Sequence, residues 1–179
     1  MKLLSISLII LVMASCTPTL TPFTNRLYEK YNWKDDELKR IQFYLSSDIV
    51  LRRDFDKASG TEFDKGSIKI VDGKKIEQVV IPHGTPGVFM FKPNEKKFAI
   101  SFESGNDQKY LMFGPNPKRG GEFVLLASDW EGKNGIVTYD GKEYVTDASA
   151  AWANLLVDLK KSRNLIVENR TVKGRTLGN

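Results

Sequence analysis

The two side chain types that most often serve as acid, base or nucleophile near neutral pH each occur once in this chain of 179 residues, as His83 and Cys16. His83 lies in the stretch "IPHGTPG", where the neighbouring prolines and glycines predict an exposed turn. A Ser-His-Asp site would have to use this histidine, and no nucleophile-elbow motif accompanies it. The sequence therefore identifies no catalytic residue.

Metal chemistry has equally little support. One histidine and one cysteine cannot supply the three or four nitrogen and sulfur ligands that zinc sites use. The acidic stretch "DFDKASGTEFD" has the composition of a calcium loop, but Ala58 and Ser59 stand where a ligand and the turn glycine are needed. We therefore predict no metal and no cofactor. Paired carboxylates for sugar hydrolysis need only closeness in space, so a carboxylate-dependent hydrolase stays open as an alternative.

Cys16 follows a short apolar run that begins after Lys2 and ends in the small residues Ala14 and Ser15. This layout is typical of a secretory signal peptide, and the run is shorter than the roughly 20 residues that span a bilayer. Because the chain has no second cysteine, Cys16 has no disulfide partner within it. An unpaired thiol would be a liability in an oxidising compartment, so another use for Cys16 is expected.

The sequence Met13-Ala14-Ser15-Cys16 resembles the lipobox of bacterial lipoproteins, from which Met13 departs where leucine is usual. The resemblance covers only the first 16 residues. It implies that the Cys16 sulfur receives a diacylglycerol and that the chain is cut before this residue. Thr17 stands where an aspartate would imply retention at the inner membrane, so the resemblance favours the outer membrane. It does not decide between the periplasmic and the outer face.

These observations predict a simple domain organisation. We expect a signal peptide over residues 1–15 and a lipidated tether over 16–23, in which two prolines exclude a helix. A single β-rich globular domain then follows over 24–159, and a basic C-terminal segment over 160–179.

The spacing of turn residues in the central region predicts an antiparallel β-sandwich or a barrel-like domain. Asp72-Gly73 and Asp140-Gly141 each separate two runs with β-strand character, which is a strong signal for a two-residue hairpin turn. Apolar strands broken by turns rich in glycine, proline and asparagine lie between them. Short helical segments are expected before the sheet, over "NRLYEKY" after the capping residue Thr24 and again from Asp35.

Two strand assignments specify which residues face the core. In "KFAISFE", alternation predicts that Phe98 and Ile100 point to one side, and Ala99 and Ser101 to the other. The segment over 147–161, "DASAAWANLLVDLKK", has spacing that fits both a helix and a strand. We predict a strand over 154–159.

Positive charge is concentrated at the end of the chain. Six basic residues lie over 160–179 against the single acidic residue Glu168, and they are candidate binding residues: Lys160, Lys161, Arg163, Arg170, Lys173 and Arg175. The segment is either a solvated tail or a docking strip for phosphate-rich lipid or an acidic protein surface. Nucleic acid is not an expected partner for an exported lipoprotein.

Large aromatic residues are the remaining candidates for binding. Among Trp33, Trp130 and Trp152, Trp130 lies in the turn-rich stretch "SDWEGKNG". A tryptophan in such a place is a binding anchor, a platform for stacking sugars, or a lid over the end of the core.

The sequence thus predicts a lipoprotein anchored in the outer membrane whose domain is a non-catalytic accessory or scaffold module. Its expected partners are the membrane, through lipid on Cys16, and another component of the cell envelope. A module that binds glycan or another envelope polymer is the first alternative, and a carboxylate-dependent envelope hydrolase is the second.

The anchor can be tested directly. We expect that the Cys16→Ser variant accumulates as uncut precursor, because the lipid-bearing sulfur is lost. Mass spectrometry of the mature N-terminus should show an acylated Cys16 in the unaltered protein. A free Cys16 thiol in the membrane fraction would refute this prediction.

Overall fold

The computed structural model describes residues 19–54, 67–71, 74–131 and 134–164. Within these residues the chain is mainly β, with two antiparallel sheets and few helices, which confirms the predicted fold class. The proposed lipid site, Cys16, lies outside the described residues.

Three short α-helices are described: α1 (Asn25–Tyr31), α2 (Asp35–Leu38) and α3 (Leu159–Asn164). The two predicted N-terminal helical segments are confirmed. The Thr24 hydroxyl accepts a hydrogen bond from the backbone N–H of Leu27 at 3.1 Å, so α1 begins with the expected cap. Among the described residues, no helix has both the length and the apolar character needed to cross a bilayer.

The strands, in chain order, are β1 (Leu20–Pro22), β2 (Gln42–Leu45), β3 (Ile49–Asp54), β4 (Ser67–Val71), β5 (Lys74–Ile81), β6 (Pro86–Asn94), β7 (Lys97–Ser101), β8 (Leu111–Asn116), β9 (Glu122–Leu125), β10 (Asp129–Glu131), β11 (Asn134–Tyr139), β12 (Lys142–Asp147) and β13 (Leu155–Asp158). The first sheet has the order β1-β13-β2-β6-β7-β8-β9, and the second sheet has the order β10-β11-β12-β3-β5-β4.

The two edges of the first sheet meet. The N–H of Phe123 on β9 donates to the carbonyl oxygen of Phe23, which follows β1, at 2.9 Å. The N–H of Leu125 on β9 donates to the carbonyl oxygen of Ala153, which precedes β13, at 3.0 Å. These bonds satisfy edge groups of β9 and join the seven strands into a barrel.

Aromatic rings fill this barrel. The fully buried ring of Phe23 lies 5.2 Å from that of Phe43, 5.7 Å from that of Phe98 and 4.9 Å from that of Phe123, measured between centroids. Tilted and edge-to-face contacts at such distances are the favoured geometry for aromatic pairs. The core is therefore built around a residue that the sequence assigned to the tether.

Residues 20–23, which the sequence assigned to the tether, belong to the folded domain. Leu20 to Pro22 form β1, with Leu20 opposite Asp158, and Phe23 is fully buried. Proline excludes a helix but is compatible with an edge strand, where one side of the backbone needs no partner. Proline content alone therefore could not separate a tether from an edge strand.

Along β7, the direction in which a side chain points does not decide whether it is buried. Phe98 and Ile100 are buried as expected, but Ala99 and Ser101 are buried as well. On the outer face, Ala99 lies between its register partners Phe91 on β6 and Met112 on β8. Larger cross-strand neighbours shelter a small side chain from solvent even where no second layer covers it.

The segment over 147–161 contains both helix and strand, the two conformations that its residue spacing fits. A 3-10 helix spans Ala148–Trp152, β13 spans Leu155–Asp158 close to the predicted strand, and α3 begins at Leu159. The Asp158 side chain starts α3 by accepting hydrogen bonds from the backbone N–H groups of Lys160 at 3.0 Å and Lys161 at 3.3 Å.

The second sheet lies beyond one end of the barrel. The chain passes between the two sheets at 46–48, 82–85, 126–128 and 148–154, all at the same end of the barrel strands. At the opposite end lie the three helices and the turns that join β6 to β7 and β8 to β9. We call this the helical end and define it as residues 25–40, 92–97, 116–122 and 158–162.

Both predicted hairpins pair as antiparallel strands. Val71 on β4 lies opposite Lys74 on β5, and the intervening Asp72-Gly73 lies outside the described residues. At the other hairpin, Asp140 has φ of 51° and Gly141 has φ of 67°. Two successive positive φ angles are those of the turn that the sequence predicts.

This turn generates a stability prediction. At Gly141 an added Cβ would lie 2.8 Å from Oε1 of Gln108, and a β-branched residue resists positive φ. We expect Gly141→Val to lower the free energy of unfolding by about 1–2 kcal/mol or more, measured by urea denaturation. Gly141→Asn should cost less, because asparagine tolerates this conformation. Equal stabilities for the two variants would contradict the assignment.

Candidate functional site

A cluster of polar side chains lies on the inner face of the second sheet. Strand β3 directs Ile49, Leu51 and Arg53 to one side, so that its buried apolar residues are followed by a cation. Arg53 lies opposite Glu77 on β5 and forms an ion pair with it through Nε and Oε2. The Tyr144 hydroxyl on β12 donates to Glu77 Oε1 at 3.1 Å.

The environment of Tyr144 defines what this cluster can do. Its ring is packed under the Arg53 guanidinium, 5.6 Å from the centroid, and Arg53 and Tyr144 border a cavity of about 470 Å³. Burial, followed by the negative charge of Glu77, raises the pKa of Tyr144 to about 12. The phenol is therefore protonated near neutral pH and acts as a hydrogen-bond donor, because a base or nucleophile would need a lowered pKa.

A second chain of polar contacts lies beside the first. The Tyr139 hydroxyl donates to Glu103 Oε1 at 2.5 Å, and Lys109 Nζ lies 3.3 Å from the same oxygen. Burial, and then the hydrogen bond to Glu103, raise the pKa of Tyr139. The Tyr139 and Tyr144 rings meet nearly edge-on at 6.2 Å. Both tyrosines thus serve as protonated donors to carboxylates.

The outer face of the second sheet is apolar where solvent reaches it. Val80 and Val145 are 50% and 44% exposed, and the partly exposed Val50 and Ile136 lie beside them. The register places Val50 opposite Val80 and Ile136 opposite Val145. We call these four residues the valine face. They form two apolar pairs on four consecutive strands, and the Arg52–Asp147 ion pair lies diagonally between the two pairs.

The three tryptophans have different environments. Trp33 is buried in the core, and its ring stacks on that of Phe23 at 5.9 Å. Trp130, on β10, is 37% exposed and lies over Gly135, where an added Cβ would come within 2.7 Å of the indole ring. Trp130 therefore covers its own hairpin, and its predicted role in binding stays a prediction.

Trp152 is the most exposed of the three, at 63%. The Arg119 guanidinium lies 5.3 Å from the centre of its ring, and Arg119 Nη1 donates to the Trp152 carbonyl oxygen at 2.7 Å. Glu122 holds Arg119 from the other side, with an N–O distance of 2.8 Å. Sequence reasoning did not select Arg119, since nothing in the spacing shows that it stacks on a residue 33 positions later.

The described basic candidates lie on a different part of the molecule from Trp130. Lys160 and Lys161 are exposed on α3 at the helical end. Arg163 belongs to the same helix, and the remaining candidates lie outside the described residues: Arg170, Lys173 and Arg175. Trp130 is on the second sheet, so Trp130 and the two lysines belong to separate surfaces.

Glu95 and Asp147 have lowered pKa values, which does not support the hydrolase alternative. A hydrogen bond from Lys92 holds the pKa of Glu95 below its ordinary range, and one from Ser149 does the same for Asp147. The general acid of a glycosidase needs a raised pKa. Among the described residues, no three histidine, cysteine, aspartate or glutamate side chains are grouped to hold a metal ion. His83 lies in an exposed turn, as predicted.

Comparisons of the chain with protein-family models, with curated proteins and with solved structures found no match. Three exposed features of the described chain are candidates for binding: the valine face on the second sheet, the Trp152–Arg119 stack, and the basic residues of α3 at the helical end.

The tyrosine environment predicts a pH dependence of stability. Because folding raises the pKa of Tyr144 from an ordinary 10.0 to about 12, its contribution is fully present below pH 10 and is lost as the pH rises toward 12. We expect the free energy of unfolding, measured in urea, to fall between these limits. In Tyr144→Phe the fall should be smaller by on the order of 2 kcal/mol. An unchanged pH profile would contradict the role of Tyr144.

Proposed function

We propose that this protein is a lipid-anchored accessory protein of the bacterial cell envelope, held at the outer membrane through Cys16, and that it binds another envelope protein through its valine face. The observation that carries the binding role is the exposure of Val80 and Val145 on adjoining parts of one sheet face. The lipobox resemblance of Met13 to Cys16 supports the anchor.

The valine face differs from an ordinary solvated sheet face. An antiparallel sheet with one side in water normally presents polar residues there. Here branched apolar side chains occupy that side on four neighbouring strands. Apolar side chains that are grouped on one sheet face mark an interaction site more than single exposed residues do. Covering the exposed half of Val80 or Val145 would contribute about 1 kcal/mol each.

The charged residues beside the valine face indicate what a partner must offer. Arg52 and Asp147 form an exposed ion pair at 3.7 Å on the same side of the sheet, and Arg52 is the register partner of Val145. A partner with an apolar centre could cover the valines while offering polar groups to this pair. Such an arrangement, an apolar centre with a polar rim, is usual in protein interfaces.

The inner polar cluster supports a non-catalytic role. Glu77 accepts from both Arg53 and Tyr144, and Glu103 accepts from Tyr139. The contacts of Glu77 therefore join three neighbouring strands of the second sheet, and the contact of Glu103 ties β11 to the loop that follows β7. The raised pKa of Tyr144, about 12, keeps it a donor to Glu77. The cluster is thus explained by the stability and register of the second sheet.

A glycan-binding module is the second candidate, and the Trp152–Arg119 stack favours it. An exposed indole ring offers an apolar surface on which a sugar ring can stack, and Arg119 fixes its position. Binding of envelope polysaccharide that is lost in Trp152→Ala, but kept when the valine face is altered, would favour this candidate over a protein partner.

Substitution of the valine face tests the main proposal. We expect Val80→Glu combined with Val145→Glu to reduce the amount of partner that co-purifies from native envelopes by at least about tenfold, because two apolar contacts are lost and two charges must be desolvated. Lipid attachment and thermal stability should be unchanged.

Val88→Glu is the matched control. Val88 is 46% exposed, also on a β-strand, but it lies on the barrel and outside the valine face. This variant should retain the partner. Equal retention by the control and by the double variant would refute the proposed docking surface.

A further inference from the structure

The first strand of the barrel, β1, begins beside α3. Leu20 is the first residue of β1 and pairs with Asp158, the last residue of β13. Cys16 lies four residues earlier in the sequence, so an extended chain separates it from Leu20 by at most about 14 Å. Lipid on Cys16 would therefore hold the end of the barrel that contains Asp158 close to the bilayer.

The same position carries exposed basic residues. Asp158 caps α3 through the backbone N–H groups of Lys160 and Lys161, which fixes the start of the helix next to β1. Both lysine side chains are exposed. The sequence of the following residues adds further positive charge, with four basic residues against one acidic residue over 162–179.

The two ends of the domain differ in net charge, and the helical end is the positive one. The helical end carries twelve basic and seven acidic side chains, a net charge of +5. The second sheet and an adjoining loop, over 47–54, 67–71, 74–85, 103–109, 129–131 and 134–147, contain seven basic and ten acidic residues, a net charge of −3. The domain is therefore positive at the end where the chain approaches from Cys16 and negative at the other end.

Several acidic groups at the helical end already have partners. Lys92 lies 2.8 Å from Glu95 and 3.4 Å from Asp35, and Glu122 pairs with Arg119 at 2.8 Å. These pairs engage Lys92 and Arg119 as well as the acidic groups, so they leave the net positive charge of this end unchanged. Lys160 and Lys161 are exposed on α3.

We propose that the helical end is a membrane-facing surface, on which Lys160, Lys161 and the neighbouring basic residues bind the phosphate groups of the bilayer that holds the Cys16 lipid. This inference rests on the lipid anchor of the proposed function. It orients the domain, because the acidic second sheet then points away from the bilayer. The valine face is thereby held accessible to a partner.

A lipid surface fits the basic end better than an acidic protein does. The four-residue connection keeps Cys16 within about 14 Å of Leu20, so a lipid on Cys16 would hold the domain at the bilayer surface and no separate encounter would be required. Electrostatic attraction acts over roughly 8–10 Å at physiological ionic strength. Each lysine near an anionic bilayer strengthens binding about fivefold, and such charges are a common second signal beside an acyl anchor.

The test uses the mature lipid-bearing protein in vesicles of phosphatidylcholine and phosphatidylglycerol. Because Cys16 is the only cysteine and its thiol carries lipid, single labels can be introduced as Pro93→Cys at the helical end and Thr138→Cys on β11, both at exposed and uncharged positions. Lipids with a quencher on the headgroup then report distance from the bilayer. We expect strong quenching at position 93 and little at position 138.

Charge variants test whether the lysines cause this orientation. Lys160→Gln with Lys161→Gln should lower the ratio of docked to undocked protein about 30-fold. The effect should be much smaller in vesicles of phosphatidylcholine alone or at high salt. Lys142→Glu, on β12, produces the same change in net charge at the other end of the domain and should leave docking unchanged.

Two results would overturn the inference: equal quenching at the two label positions, or docking that is the same in the Lys160/Lys161 variant as in the unaltered protein. Thermal melts exclude unfolding as the cause, since both lysines are exposed. The mass of the mature N-terminus separates the two proposals. An acylated Cys16 without docking refutes only the membrane-facing surface, whereas an N-terminus without lipid refutes the anchor and this inference with it.

Discussion

The placement of Phe23 is the constraint on which the rest of the structure depends. Its N–H donates to Leu155 at 2.8 Å, and its carbonyl oxygen accepts from Phe123 at 2.9 Å. Phe23 therefore bridges β13 and β9 and joins the two edges of the barrel. Its buried ring also contacts that of Phe43, so one residue closes the sheet and fills its interior. Truncating a buried phenylalanine typically costs about 3–5 kcal/mol, apart from any loss of closure.

Closure of the barrel gives the molecule two unlike ends. At one end lie the start of β1 at Leu20 and the three helices, and this end has a net positive charge. At the other end the chain continues into the second sheet, where acidic residues predominate. A membrane attachment at one end and a protein contact at the other can then act without competing. The proposed anchor and the valine face correspond to this separation.

The second sheet depends on its inner ion pair for register more than for stability. Arg53 and Glu77 are register partners on β3 and β5, and Tyr144 on β12 donates to the same carboxylate. A buried ion pair contributes little net free energy, but leaving one member unpaired is costly. A one-residue slip of β3 would turn Arg53 to the other face and leave Glu77 without its cation. The cluster therefore helps to fix which residues form the valine face.

The sequence by itself determined the local features, because they depend on neighbouring residues: the turn at Asp140-Gly141, the cap at Thr24, and the sheet-rich character of the chain. It also selected Lys160 and Lys161 as candidates from charge alone. Only the tertiary structure decided that Phe23 belongs to the core and that α3 lies beside the start of β1. Alternation along a strand identifies its two faces, but which face is covered depends on contacts between residues far apart in the chain, and these cannot be deduced from local pattern.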